Sequence, residues 1–376
     1  MNINVKQTKK VIVSGCSGQD GSYMVDYLLA NTDYQIYGMV RRSSNPNYEN
    51  VRHNFNNPRF SLITGDLSDS SSIDKVISSI KPDYFINLAA QSFVKTSWDL
   101  PEMTMDVNST GVMRCLESIV KHCPACRFYN AGSSEEFGKV EYSPQDENHP
   151  FRPQSPYGAS KVSARQVVRT YRESFNLYAI QGILFNHESP RRGEEFVTRK
   201  ITKGVARIKH ELDNKNFEPI PIELGNLEAK RDWSHAKDFV ESIWMMLNQP
   251  EWETGKNGIR GLLLQPKEYV ISSNETHSIK EFVELAFNAA GIKGVWHGEK
   301  ENTVYLLSHD GKLATKRAVY LVTVNPKFYR PAEVELLLGD SSKARKELGW
   351  KPKYNLNQLV QEMVDNDIKK YEKYNT

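Results

Sequence analysis

The sequence has little of what marks several protein classes. Only four cysteines, Cys16, Cys115, Cys123 and Cys126, occur in 376 residues, too few and too clustered for a disulfide framework. Cys123 and Cys126 form C-x-x-C, but no second Cys or His pair stands at zinc spacing, so buried free thiols are expected, and no metal. Net charge is nearly absent: 49 Lys and Arg against 46 acidic residues leave +3, with both signs spread along the chain. That balance gives no reason to expect nucleic acid as a partner. No apolar run approaches the length of a bilayer span, and the opening segment MNINVKQTKK lacks the apolar core of a secretion signal, so a cytoplasmic protein with no membrane partner is expected. Internal repeats and low-complexity segments are also lacking.

What is present is alternation. KVIVSG (10–15), QIYGMV (35–40), RFSLITGD (59–66), DYFINLAA (83–90) and RFYNAGSS (127–134) are near-continuous apolar runs of the kind that form buried parallel strands. Amphipathic stretches at 19–31, 70–80 and 104–122 lie between them, and 154–176 and 177–184 read as a further helix and strand. This order predicts an α/β fold: a Rossmann-like doubly wound parallel sheet, with ligands at the carboxyl ends of its strands. After residue 185 the pattern loosens into charged loops, short strands near 220 and 265, and helices near 233–247, 278–290, 341–348 and 356–373. We read 1–184 as a dinucleotide-binding domain to which some later segments return. Residues 185–376 read as a smaller, mixed α/β, substrate-binding domain.

At the end of the first strand GCSGQDG sets Gly15, Gly18 and Gly21 around Ser17, Gln19 and Asp20. A G-x-x-G-x-x-G turn before a helix lets backbone approach a pyrophosphate at the helix N-terminus. After the second strand stand Arg41 and Arg42 and no acid. Arginine suits the 2′-phosphate of NADP, whereas NAD calls for Asp or Glu; two arginines solvating a loop are the alternative. Asp66 and Leu67 are placed to meet the adenine. Leu88, Ala89, Ala90, Gln91 and Ser92 are placed to pass beneath the phosphates and the nicotinamide ribose. In SPYGASK, Tyr157 and Lys161 share one helix face, so the ammonium can lower the phenol's pKa and leave it able to take a hydroxyl proton. Ser133, just after the fifth strand, can hydrogen-bond the same hydroxyl.

Together the glycine turn, Ser133, Tyr157 and Lys161 resemble the extended short-chain dehydrogenase/reductase superfamily, over nearly the whole chain. In dehydratases of that superfamily a glutamate stands two residues after the serine or threonine, where epimerases carry a small or hydroxylated residue. The resemblance therefore makes Glu135 the base that removes the C5 proton once C4 of a hexose is a ketone. Glu136 stands where dehydratases usually carry an apolar residue, and is expected to face solvent or a subunit contact.

Residues 184–208, 224–240 and the segment RPAEVELLLGDSSKARKELGWKP resemble the GDP-mannose 4,6-dehydratase family. Physically, Arg192, Lys200 and Arg231 are cations of the kind a sugar diphosphate needs. The resemblance implies Asn186 and Arg231 at the diphosphate and His187 and Arg192 beside the cofactor. It also implies Ser92, Glu135, Val197 and Lys200 around the sugar nucleotide. It further implies conversion of GDP-mannose to GDP-4-keto-6-deoxy-mannose on a tightly held NADP, in a homotetramer. Ser133 replaces the family's threonine, Gly132 its serine, Phe93 its histidine and Met103 its tyrosine, leaving mannose or a larger manno-heptose open. An epimerase or reductase of the same fold and a silent dinucleotide-binding protein are the other readings; Glu135 argues against the first, and the intact catalytic set against the second.

Overall fold

The computed structural model describes residues 8–215, 218–249, 265–309, 312–313, 318–328 and 336–375. Contacts divide the chain into two units: residues 1–185, 236–272 and 339–351, and residues 186–235, 273–338 and 352–376.

In chain order the first unit opens with β1 (Lys10–Ser14), α1 (Gln19–Asn31), β2 (Gln35–Val40), β3 (Phe60–Thr64), α2 (Ser70–Ile80) and β4 (Tyr84–Asn87). It continues with α3 (Thr96–Asp99), α4 (Pro101–Met105), a π-helical turn over Asp106–Thr110, α5 (Gly111–His122), β5 (Arg127–Ala131), α6 (Pro156–Phe175) and β6 (Ala179–Leu184). The second unit supplies β7 (Asn186–Glu188), α7 (Val197–Asp213), β8 (Ile222–Leu224), β9 (Lys230–Arg231) and β10 (Trp233–His235). The chain then returns to the first unit for α8 (Ala236–Leu247) and β11 (Val270–Ile271). The second unit resumes with β12 (His277–Ser278), α9 (Ile279–Ala289), β13 (Gly294–His297), β14 (Val304–His309), β15 (Lys312–Leu313), β16 (Tyr320–Val324) and β17 (Leu336–Leu337). The last helices are α10 (Ser342–Glu347), in the first unit, and α11 (Leu356–Asn375), in the second.

The first unit is a seven-stranded parallel sheet in the order β11-β6-β5-β4-β1-β2-β3. Order reverses between β1 and β4, which is where such sheets open a crevice at their carboxyl ends. The strands form because both faces are covered: Val11, Ile12, Val13, Phe85, Ile86, Phe128 and Ile180 are fully buried. Trp350 shows why a late segment comes back. Its ring is fully buried against Phe239 of α8 in an edge-on contact, and its indole N–H donates to the Asp238 carbonyl at 2.9 Å.

The second unit departs from the loosened pattern read in the sequence. No helix was expected over 197–213, yet α7 runs 17 residues. Val197, Ile201, Val205, Ile208 and Leu212 return at helical spacing, but cationic residues between them and Gly204 obscure that stripe. The helix expected from 233 starts at Ala236, because Trp233–His235 pair in parallel with Asn186–Glu188. Of the strand expected near 265, the residues up to 264 lie outside the described residues; from 265 on, the chain enters the sheet at Val270. Strands β13, β14, β16 and β8 build a sheet, joined by β15, of which only the part near 220 was read. Its core gathers Ile201, Val205, Phe282, Val283, Phe287, Leu321 and Met363. Within it Arg199 of α7 and Asp367 of α11 form a buried ion pair, and the Thr202 hydroxyl donates to the same carboxylate at 2.7 Å.

All four cysteines are free, and Cys123 is only half-buried, unlike the other three. Burial pushes the Cys16 thiol up to about 12, which makes it an inert filler of the core. No described helix is long and apolar enough to cross a membrane.

Trp350→Ala is expected to lower unfolding free energy by about 3–5 kcal/mol, through a large cavity and the lost indole hydrogen bond. Urea titration of the variant measures it.

Candidate active site

At the carboxyl end of β1 the chain turns through Gly15, whose φ is +64°. Added Cβ atoms show what the glycines make possible. One on Gly15 would lie 2.9 Å from the Ala89 backbone, and one on Gly21 would lie 2.2 Å from the Gly15 carbonyl oxygen. Gly18 caps α1 with no side chain, so the first turn of a 13-residue helix presents its amide end at this turn. A second loop is pinned alongside. The Ser14 hydroxyl accepts from the amides of Leu88 and Ala89 at 3.1 and 3.2 Å. Gln91 holds its own loop, its side-chain oxygen accepting from the Phe93 amide at 2.6 Å.

Asn108 is a residue that the sequence reading missed. It sits in the π-helical turn, accepts from the Gln91 amide at 2.8 Å, donates to the Gln91 carbonyl at 2.9 Å, and donates to the Ser160 hydroxyl at 3.1 Å. It thus ties the loop after β4 to the first turns of α6. The signal was there in DVNST, a run of short polar residues inside an otherwise helical stretch, and π turns recur at functional sites.

Beside these loops β5 ends in the sequence that carries Ser133 and Glu135. Ser133 caps a 3₁₀ turn over Ser134–Glu136, its hydroxyl accepting from the Glu135 amide at 3.2 Å. That turn packs on the start of α6. The Glu135 carbonyl oxygen lies 2.6 Å from where a Cβ on Gly158 would stand, so only glycine next to Tyr157 admits this approach. Helix α6 itself starts on Ser155, whose hydroxyl accepts from the Gly158 amide at 3.0 Å, with Pro156 at its first position. Tyr157 is 8% exposed and Lys161 4%, and the ammonium stands 5.7 Å from the phenol ring centroid. Lys161 donates to the Ala131 carbonyl at 2.8 Å. Burial brings its pKa down to about 8, against the opposing pull of the carboxylates of Glu136 and then Asp20.

Glu136 corrects an expectation. It faces neither solvent nor a free surface but is fully buried. One carboxylate oxygen accepts from the Ser133 amide at 2.8 Å and the Gln181 amide nitrogen at 3.0 Å, and the other takes the Arg165 guanidinium at 2.5 Å. Gln181 ends a row that crosses four adjacent strands. In register, Ser14 donates to Asn87 at 2.5 Å, Asn87 to Asn130 at 2.7 Å, and Asn130 to Gln181 at 2.6 Å.

The remaining positions divide between surface and core. Arg41 and Arg42 are exposed after β2, and Ser92 is exposed, whereas Ser17, Asp20 and Ala90 are intermediate and Gln19 is buried. Asp66 accepts from the Ser68 amide and hydroxyl at 3.0 and 2.8 Å. Leu67 is 3% exposed, its side chain packed in the core, so its backbone is the part a ligand can meet. In the second unit Asn186 carries a buried side-chain oxygen without a hydrogen-bond partner, and His187 and Arg231 are buried. Arg192 pairs with Glu188 at 3.1 Å and stacks on Phe196 at 3.6 Å. Lys200 lies 3.6 Å over the Phe328 ring, with its pKa lowered by burial and partly restored by Glu223. Val197 is the first residue of α7. Among the described residues no group of three His, Cys, Asp or Glu is placed to hold a metal ion.

Residues 12–363 match the family model described as GDP-mannose 4,6 dehydratase. The chain belongs to the GDP-mannose 4,6-dehydratase family. The dehydratase of that name from Cricetulus griseus is 44% identical over 372 residues, 96% of this chain and 92% of its own. Among solved structures, dTDP-glucose 4,6-dehydratase from Bacillus anthracis, in complex with NAD, is 20% identical with a TM-score of 0.73, covering 97% of this chain and 98% of its own. RMD from Pseudomonas aeruginosa, complexed with NADPH, is 19% identical with a TM-score of 0.71, covering 96% of this chain and 100% of its own. At such identities these two structures share the fold.

Gly21→Ala is expected to force the turn and α1 apart and lower stability by about 1–3 kcal/mol. Thermal denaturation of the variant checks this; an unchanged melting temperature contradicts it.

Proposed function

We propose that this member of the family dehydrates GDP-mannose to GDP-4-keto-6-deoxy-mannose, with NADP as a cofactor restored in each turnover. The observation that carries the reading is the meeting of the Ser133–Glu135 turn with the Tyr157–Lys161 helix, in a chain whose curated relatives bear that dehydratase's name.

The cradle left by Gly15, Gly18 and Gly21 fits a pyrophosphate, because each missing side chain opens room against backbone and the α1 amides face it. Ser17, Gln19, Asp20, Asp66, Leu67 and the Leu88–Ser92 loop complete the dinucleotide site in this reading, with Arg41 for the 2′-phosphate and His187 and Arg192 near the nicotinamide end. Asn186, Val197, Lys200 and Arg231 hold the GDP-sugar. A dinucleotide held by these residues would supply a nicotinamide able to store the hydride of C4 for return at C6.

Tyr157 removes the O4 proton, oriented by the Ser133 hydroxyl and held as phenolate by the Lys161 ammonium. The C4 ketone makes the C5 hydrogen acidic, and Glu135 removes it. The proton collected by Glu135 leaves with the C6 hydroxyl as water, and C5 takes the proton that Tyr157 removed from O4 as C6 becomes a methyl group. Glu135 suits this work because its backbone is held by the Ser133 hydroxyl at the turn, leaving its carboxylate for the sugar. The same reading makes the protein a cytoplasmic homotetramer, supported by the family resemblance.

Incubated with GDP-mannose and a catalytic amount of NADP+, the protein is expected to yield a nucleotide sugar lighter by one water without accumulating NADPH. An unchanged sugar mass sinks the reading. Glu135→Gln is expected to bind GDP-mannose yet lose at least about 100-fold in product formation; full turnover removes Glu135 from the mechanism.

A pH profile gives a second check. Lys161 has a lowered pKa, so it is charged below about 8 and loses its charge as pH rises through that value. The rate constant kcat should fall in the same interval; a rate still level two units above it contradicts the role of the ammonium.

A further inference from the structure

We infer that Glu136 is a positioning residue that sets both the main chain of Ser133 and the charge of Lys161, with Gly132 as the opening that admits its carboxylate. The inference deepens the dehydratase reading and rests on it for its kinetic arm alone.

The geometry is one of shared atoms. The carboxylate oxygen that accepts from the Ser133 amide also accepts from Gln181, and Gln181 donates at 2.9 Å to the Lys161 carbonyl. The other oxygen holds Arg165, one turn beyond Lys161 on α6. Glu136 therefore joins the turn carrying the hydroxyl to the helix carrying the ammonium. Gly132 makes this possible: a Cβ there would lie 2.5 Å from that shared oxygen and 2.2 Å from the Gly182 carbonyl. Any other residue at 132 would occupy the carboxylate's place.

Charge points the same way. Arg165 is held by Glu136 and by Glu268, and Glu268 also takes Arg172 at 2.9 Å. Two arginines against two glutamates balance this buried group. Its field on Lys161 does not cancel, because Glu136 is the larger of the two carboxylate influences that hold the ammonium protonated, ahead of Asp20 at the start of α1. The groups bearing on Glu136 are Arg165 from α6 and Tyr129 from β5, with Glu268 acting through Arg165. Tyr157, whose ring centroid lies 5.7 Å from the ammonium, is a further titratable group beside Lys161. Removing the negative charge at 136 thus lowers the Lys161 pKa further, and the ammonium is lost at lower pH. A carboxylate in this place offsets part of the desolvation that burying Lys161 imposes.

Two variants separate the roles. Glu136→Gln keeps an acceptor for the Ser133 amide but removes the charge. Glu136→Asp keeps the charge but is one methylene too short to reach Ser133 and Arg165 together. The Lys161 titration is read directly from the side-chain Cε resonance in protein labelled with ¹³C-lysine, assigned with Lys161→Met, and kcat and KM are read on GDP-mannose. In Glu136→Gln the titration is expected to move about one unit to lower pH, and the basic limb of kcat with it. In Glu136→Asp the titration should stay near its wild-type place while kcat drops by about 10–100-fold with KM little changed. A Lys161 titration unmoved in Glu136→Gln overturns the charge role, and wild-type kcat in Glu136→Asp overturns the positioning role. If Glu136→Gln does not fold, the Asp variant still decides positioning, and the Lys161 titration in Gln181→Met decides charge: it should stay put if Glu136 acts by its charge, and a fall overturns that role. A wild-type protein inactive on GDP-mannose sinks the dehydratase reading instead, while the lysine titration remains interpretable.

Discussion

A lysine ammonium taken almost wholly out of water is the constraint around which the first unit is arranged. Lys161 is 4% exposed, and an isolated charge in such a place would neutralise itself. It stays protonated to about pH 8 because the surroundings answer it: the Ala131 carbonyl at 2.8 Å, and the carboxylates of Glu136 and Asp20. Each of these comes from a different element, respectively the end of β5, the 3₁₀ turn and the start of α1. The site is therefore held together by a charge that only its full assembly can keep.

That arrangement extends into the sheet. Ser14, Asn87, Asn130 and Gln181 stand at matching register on β1, β4, β5 and β6 and pass hydrogen bonds along the row to Glu136. Polar residues buried in parallel strands would each carry an unmet cost in isolation; linked, they satisfy one another and tie β1, β4, β5 and β6 together. At one end of the row Ser14 pins the loop of Leu88 and Ala89. At the other, Glu136 pins Ser133. The loop after β4 and the Ser133–Glu136 turn are in this way mechanically continuous through side chains rather than through backbone alone.

Much of the first unit was legible because its physics is local. Continuous apolar runs report strands buried on both faces, and Gly15, Gly18 and Gly21 report a backbone approach that side chains would block. Tyr157 and Lys161 report a helix face by spacing. Glu136 was not legible, since a glutamate in a loop reads as solvated until the arginine 29 residues away and the space left by Gly132 are seen together. Asn108 escaped for the same reason: its partners Gln91 and Ser160 are remote in sequence. In the second unit α7 was hidden by its own cations, which break up the apolar stripe of Val197, Ile201, Val205 and Ile208. There the stabilising contacts, such as Arg199 with Asp367, are formed between segments far apart along the chain.

The most direct test of an internal redox cycle at this site is the fate of the hydrogen at C4. GDP-mannose deuterated at that carbon, turned over with catalytic NADP+ and analysed by NMR and mass spectrometry, should give a product that has lost one water and carries the deuterium in its C6 methyl group. Deuterium found in released reduced dinucleotide, or still at C4 of a sugar of unchanged composition, would contradict the dehydratase assignment.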